Sequence, residues 1–195
     1  MTREPGGIPE QTLPGHEFSH LAFFDSLTQL PSRRLFNDRL GQAVKRAQRT
    51  SSSLALMFVD LDKFKPINDT YGHEAGDFML QTVAKRLSGC LRAYDTAARV
   101  GGDEFLVLLP DIPSGFDALA VAEKIRTALA EPCISPDGTE LCISASIGIA
   151  IYPEHAGSEH ELLRLGDRAM YEAKSAGGNR VKLFSPEDGA GHSAA

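Results

Sequence analysis

Two short acidic segments carry the chemistry that this sequence is equipped to do. Asp60-Leu61-Asp62 ends the apolar run Leu54–Val59, and Asp103-Glu104 follows Gly101-Gly102 between two further apolar stretches. Carboxylates at the C-terminal edge of a buried strand are well placed to hold a hard divalent cation through oxygen ligands. Taken alone, the first group reads more simply as solvated loop acids. A second acidic turn beside a neighbouring strand points instead to convergence on one or two magnesium ions. Gly101 and Gly102 lack side chains, so bulky anionic groups can approach their backbone N–H groups. Carboxylates with a glycine turn suggest a magnesium-bound triphosphate rather than a bare anion. The segment 65–77, K-P-I-N-D-T-Y-G-H-E-A-G-D, reads as a loop that brings Lys65, Asn68 and Asp77 near the same strand end. Asn and Asp can pair with a purine edge, Asp accepting from the ring N–H and amino group of guanine. The same two residues also suit turn-making and N-capping.

The flanking sequence supplies elements able to hold these groups. Ser32 is placed to N-cap a helix to about Arg49, with Leu35, Phe36, Leu40, Ala43, Val44 and Ala47 at helical spacing. Leu54–Asp60 is nearly continuously apolar, as expected of a strand buried on both faces. A second helix is expected after Gly76, carrying Leu80, Val83, Ala84, Leu87 and Leu91 on one side. Thr96–Val100 and Phe105–Leu109 read as strands joined by a tight hairpin at Gly101-Gly102-Asp103-Glu104. A helix over Phe116–Ala130 follows, then short strands near Cys133 and Leu141 and a longer one over Ile143–Ile151. A last helix spans Glu159–Ala176, and Val181–Phe184 closes as a strand. This order describes helices packed on one mixed sheet.

Length and composition set the bounds. A chain of 195 residues, 42% hydrophobic and 24% charged, is expected to form one domain. Residues 1–17 read as a flexible lead-in, 18–185 as the domain and 186–195 as a disordered tail. Twenty Lys and Arg against 26 Asp and Glu give a net charge of −6, which argues against general nucleic-acid binding. Arg33, Arg34, Arg39, Lys45, Arg46 and Arg49 make the first helix basic, most simply as a solvated face touching phosphates near its start. No apolar run is long enough to span a bilayer, no secretory signal is visible, and Cys90, Cys133 and Cys142 form no C-x-x-C. A cytoplasmic protein without direct membrane contact is the expectation. His16-Glu17-Phe18-Ser19-His20 fits the zinc-protease pattern H-E-x-x-H, but it follows Pro14-Gly15 and shows no third ligand.

Five ordered blocks carry a family resemblance: D-S-L-T-Q-L-P-S-R-R (25–34), V-D-L-D-K-F-K-P-I-N-D-T-Y-G-H-E-A-G-D (59–77), R-V-G-G-D-E-F (99–105), S-I-G-I-A (146–150) and D-R-A-M-Y-E-A-K-S-A-G-G-N-R-V (167–181). Together the blocks resemble the GGDEF diguanylate cyclases over about residues 20–185. The resemblance implies an α/β sandwich of the palm-like nucleotidyl-cyclase type, with flanking helices on a central mixed, mainly antiparallel five-stranded sheet. It implies that two GTP molecules become cyclic di-GMP and two pyrophosphates across an antiparallel homodimer, each subunit presenting one GTP. Two Mg2+ ions, with Mn2+ as a substitute, would be held by Asp60, the Leu61 carbonyl, Asp103 and Glu104. Asp103, Glu104 and Lys65 would serve catalysis. Asn68 and Asp77 would read guanine, with Asp77 favouring GTP over mixed guanine–adenine products. Gly101, Gly102, Lys65, Lys174 and Arg180 would line the phosphates. Arg92-Ala93-Tyr94-Asp95 matches the R-x-x-D site at which Arg92 and Asp95 would bind the inhibitory product; the spacing alone also fits a surface salt bridge, and the five-residue gap between it and Gly101 favours the product site. Three positions depart from the family pattern: Gln29 replaces a usual Gly, Ser32 a usual Asn, and Gly178 an arginine that helps hold the terminal phosphate. A sensor or effector domain on a longer chain is the implied partner. The rival reading is a non-catalytic GGDEF module that binds GTP or cyclic di-GMP and regulates a partner domain.

Overall fold

The computed structural model of the chain describes residues 23–186. Its elements run α1 (Arg33–Thr50), β1 (Ser53–Asp62), α2 (Phe64–Tyr71), α3 (His73–Cys90), β2 (Thr96–Arg99), β3 (Glu104–Ile112), α4 (Gly115–Ala130), β4 (Cys133–Ile134), β5 (Glu140–Leu141), β6 (Ser144–Tyr152), α5 (Glu159–Ser175) and β7 (Arg180–Leu183). Five strands form one sheet in the order β2-β3-β1-β6-β7, and β4–β5 is a separate hairpin. Neighbours in the main sheet pair antiparallel except β6 and β7, which run parallel. The result is the expected α/β sandwich on a mixed, mainly antiparallel five-stranded sheet.

Central strand β1 shows why its apolar run is unbroken. Ala55, Met57, Val59 and Leu61 enter one core with residues of α2, α3 and α4, whereas Leu54 and Leu56 enter the other with α1 and α5. A strand covered on both faces needs an apolar side chain at every position. Phe36, Leu40, Val44 and Ala47 form the buried stripe of α1. Ser32 occupies its cap position in extended conformation, but its hydroxyl makes no cap bond to the helix.

The segment 65–77 departs from expectation: it is two helices rather than a loop. Phe64 and Ile67 are buried on one side of α2. Pro66 sits in the first turn of α2, where a missing N–H breaks no helical bond. Gly72, at φ +86°, ends α2 and starts α3, and few other residues tolerate that angle. Helix α3 therefore begins at His73, and Gly76 lies inside it rather than ahead of it.

Helix α5 lies close against the sheet because Gly148 has no side chain. A Cβ there would overlap the backbone of Met170 and of Gly166. This close approach governs how far side chains from the end of α5 reach across the sheet. Gly148→Ala is expected to cost about 3 kcal/mol or more by overpacking. A melting temperature roughly 6–12 °C lower in thermal denaturation would register it, for a chain of this size.

Candidate active site

Strands β1 and β3 bring the two acidic segments together. Asp60 lies opposite Glu104 in the antiparallel register, and the Leu61 N–H donates to the Asp103 carbonyl at 3.2 Å. All three residues of Asp60-Leu61-Asp62 belong to β1 itself. Asp60 is only 7% exposed. Lys174, in the last turn of α5, reaches it with Nζ donating to Oδ1 at 2.6 Å. Burial pushes the Asp60 carboxyl up; Lys174 pulls it down, and the nearby charges of Asp103 and Asp62 push it up again. Its bond to Asp60 in turn raises Lys174 above the usual lysine value. Burial is the largest of these effects, so the Asp60 carboxyl stays raised even with an ammonium against it.

The hairpin turn, residues 100–103, is held by its carbonyls. Arg33 donates to the Val100 carbonyl from Nε at 3.3 Å and Nη2 at 3.0 Å. Arg99 donates to the Gly102 carbonyl from Nε at 3.2 Å and Nη2 at 2.8 Å. A trans peptide directs its N–H opposite to its C=O, so the N–H groups of Gly101 and Asp103 face away from these arginines. Neither glycine has a positive φ; what each offers is space. A Cβ on Gly101 would crowd the Glu104 carboxylate, and nothing lies within 4 Å of one on Gly102.

Arg99 is aimed in turn by Asp25. Its Nη1 donates to Asp25 Oδ1 at 3.2 Å and Oδ2 at 3.3 Å, and Oδ1 also accepts from Thr28 N at 2.8 Å and Oγ1 at 2.6 Å. Burial raises the Asp25 carboxyl, but the bonds from Thr28 and Arg99 outweigh it and leave the group below its ordinary value.

Helices α2 and α3 bring Asn68 and Asp77 to one place. Asn68 packs where a Cβ on Gly76 would overlap its side-chain amide, so the glycine makes room for the asparagine. Asp77, one residue further along, is exposed, as is Lys65, which sits one turn before Asn68 on α2. Arg180 is exposed at the start of β7 and folds back so that Nε donates to the Gly178 carbonyl at 3.2 Å. Arg92 and Asp95 lie apart, ahead of β2, so the strand places them about 15 Å from the glycine turn. There the Arg92 N–H donates to Asp95 Oδ2 at 2.8 Å, and Arg92 Nη1 donates to the Tyr94 hydroxyl at 3.1 Å. Burial raises the Asp95 carboxyl, and its bond to Arg92 opposes the rise. A groove of about 610 Å³ beside them is lined by Arg39, Arg46, Tyr94 and Asp95 among others.

Among the described residues no three His, Cys, Asp or Glu side chains form a ready cation cage. Magnesium commonly takes one or two carboxylates and completes its shell with water and substrate phosphate. Asp60 and Asp103 supply hard oxygen donors on segments that the β1–β3 register brings together, so the residues fit such an ion. The sequence reading gives no role to Asp25 or Gly76, and counts Asp62 with Asp60 among the acids at the strand edge that could hold a cation, whereas its carboxylate is bonded to Ser144, Ser146 and the Asn179 N–H. An Asp three residues before a Thr, as in Asp25-Ser26-Leu27-Thr28, was the available sign of a side-chain-capped turn. The pair His16 and His20, the lead-in 1–17 and residues 187–195 of the tail lie outside the described residues.

Residues 22–180 match the family model described as diguanylate cyclase, GGDEF domain, and the chain belongs to that family. Diguanylate cyclase TpbB of Pseudomonas aeruginosa is 47% identical over 156 residues, which cover 80% of this chain but 36% of TpbB. The bifunctional diguanylate cyclase/cyclic di-GMP phosphodiesterase MucR of the same species is 47% identical over 168 residues, 86% of this chain and 24% of MucR. The chain thus spans well under half of these relatives. Among solved structures, a form of TpbB comprising only the GGDEF domain superposes with TM-score 0.83 at 45% identity, covering 85% of this chain and 96% of that one. The coiled coil and GGDEF domain of DgcB from Caulobacter crescentus, in complex with c-di-GMP, gives TM-score 0.78 at 30% identity, covering 86% and 88%.

The lowered Asp25 carboxyl ties stability to pH. A depressed folded-state pKa stabilises above the unfolded value, and that contribution disappears as pH falls through the folded one. Asp25→Asn is expected to lose about 1.5–3 kcal/mol at neutral pH, the scale of a hydrogen bond to a charged group. Melting curves of variant and parent should converge in acid below the carboxylate range; a gap that persists there would contradict the assignment.

Proposed function

We propose that this chain is a magnesium-dependent diguanylate cyclase domain that condenses two GTP into cyclic di-GMP and two pyrophosphates. The observation that carries this reading is the β1–β3 register, which sets Asp60 beside Asp103-Glu104 with Lys174 lodged against Asp60. In each half-reaction a ribose 3′ oxygen attacks the α-phosphorus of the other GTP. A new P–O bond forms, the α–β bridging bond breaks, pyrophosphate leaves and the hydroxyl proton is released. Because each ring closure needs two nucleotides face to face, the active unit is an antiparallel homodimer in which each chain presents one GTP.

In this assignment Asp60, the Leu61 carbonyl, Asp103 and Glu104 hold the metal ions, Mg2+ or Mn2+. Bound there, the ions supply charge stabilisation at the attacking and leaving oxygens and ease deprotonation of the hydroxyl. The chain's own groups do the positioning, which is most of the work in phosphoryl transfer. Asn68 and Asp77 orient guanine on α2 and α3. The N–H groups of the glycine turn, faced outward by Arg33 and Arg99, receive phosphate oxygens beside Gly101 and Gly102. Lys65, Lys174 and Arg180 balance the triphosphate. Lys174, bonded to Asp60 in this structure, would stand within reach of both that carboxylate and the phosphates. Product binds at Arg92 and Asp95 and slows turnover, the arginine making a forked contact to phosphate or guanine. No helix among the described residues is long and apolar enough to cross a membrane; we assign a cytoplasmic domain governed by a sensor or effector elsewhere on a longer chain.

Chromatography of nucleotides after incubation with GTP and Mg2+ tests the reading. Cyclic di-GMP should appear, with turnover per chain rising with protein concentration, as a dimeric site requires. Asp103→Ala should lower it at least about a hundredfold, the scale for loss of a group aimed at developing charge. Added product should inhibit the parent chain and not Arg92→Ala. GTP bound without turnover at any protein concentration would instead make the chain a receptor module.

A further inference from the structure

Asp62 is the acidic residue at the end of β1 that the reading above leaves without a task. It lies two residues from Asp60, but its carboxylate is engaged elsewhere. Oδ1 accepts from the buried Ser146 hydroxyl at 2.7 Å, and Oδ2 accepts from the Ser144 hydroxyl at 2.7 Å and from the Asn179 N–H at 2.8 Å. Asn179 belongs to the turn between α5 and β7. That turn holds three consecutive left-handed residues, Gly177 at φ +114°, Gly178 at +71° and Asn179 at +48°. For a non-glycine residue such as Asn179 this region is sparsely populated and persists only where surrounding contacts enforce it.

The contacts enforcing it converge on Asp62 and α4. Besides the Asp62 bond, Arg126 Nη1 donates to Asn179 Oδ1 at 3.0 Å, and the Gly178 N–H donates to the Ala173 carbonyl at 3.2 Å. A Cβ on Gly178 would come within 2.9 Å of Asp62 Oδ1, so the carboxylate occupies the space a side chain would need. Lys174 precedes the turn and Arg180 follows it, which makes the turn the spacer between the two cations of the phosphate end.

We propose that Asp62 is a positioning residue for triphosphate binding: it clamps the Gly177–Asn179 turn to β1 and β6 and thereby sets where Lys174 and Arg180 stand relative to each other. The same clamp accounts for glycine at 178, where the family pattern has arginine. It leaves Arg180, folded over the Gly178 carbonyl, as the cation on this side of the turn. The proposal rests on the GTP reading and deepens it.

The test separates the phosphate end from the base end and adds a readout without nucleotide. Binding of the α,β-methylene analogue of GTP and of GMP is measured with the parent chain, Asp62→Ala and Asp62→Asn, beside hydrogen exchange of the 177–181 segment in the nucleotide-free proteins. Asp62→Ala should weaken the analogue about tenfold while GMP changes by less than about twofold, and the segment should exchange faster. Asp62→Asn keeps one acceptor oxygen and should fall between; it is read in the same way if the alanine variant does not fold. Equal weakening of analogue and GMP, or an exchange rate unchanged in the segment, overturns the proposal. A parent chain that binds neither nucleotide overturns the GTP reading itself, and this proposal with it.

Discussion

The antiparallel register of β1 against β3 is the constraint on which the rest of the site depends. Side chains alternate along a strand, so a slip of one residue would turn Asp60 into the opposite core and bring Leu61 or Val59 to its place. The slip is blocked from both faces, because odd-numbered residues from Ala55 to Leu61 are packed under α2, α3 and α4 while Leu54 and Leu56 are packed under α1 and α5. Two cores thus lock one register, and that register sets a nearly buried carboxylate beside the acidic end of the hairpin. The Leu61 N–H bond to the Asp103 carbonyl fastens the turn to the same strand.

Charge is distributed around this point in a definite order. Asp60 is the buried group, and a carboxylate out of water must be paired or neutralised. Lys174 pairs with it from the end of α5, the helix that Gly148 lets lie close to the sheet. Arg33 and Arg99 act differently: each donates from Nε and Nη2 to a backbone carbonyl and so orients the turn's opposite, N–H side. Asp25 acts one step further out, holding Arg99 in place.

Strands β1, β3 and β6, the helices α1, α4 and α5, and the hairpin were legible because each is written in local pattern. Unbroken apolar runs, helical spacing and paired glycines need no tertiary knowledge. Segment 65–77 was misread because Pro66, Asn68, Asp69 and Gly72 all favour turns locally. What makes it helical is the burial of Phe64 and Ile67 against a core assembled from distant strands. The acidic residues of the site were visible as types, but their separate duties were not. Asp60 and Asp62 look alike in Asp60-Leu61-Asp62, and only the contacts with Lys174, Ser144, Ser146 and Asn179 tell a candidate cation ligand from a turn anchor. Long-range bonds of this kind leave no periodic trace. Asp25 to Arg99 is another, and so is the space that Gly76 leaves for Asn68.

On the proposed function, Asp60 and Asp103 together hold a divalent cation once the triphosphate is present. Manganese binding followed by electron paramagnetic resonance, with the α,β-methylene analogue of GTP present throughout, tests it most directly. The free-ion signal should fall as the parent chain is added, and Asp60→Asn and Asp103→Asn should each weaken that binding by about tenfold or more, since each removes one charged oxygen ligand. Manganese affinity unchanged in both variants would contradict the account.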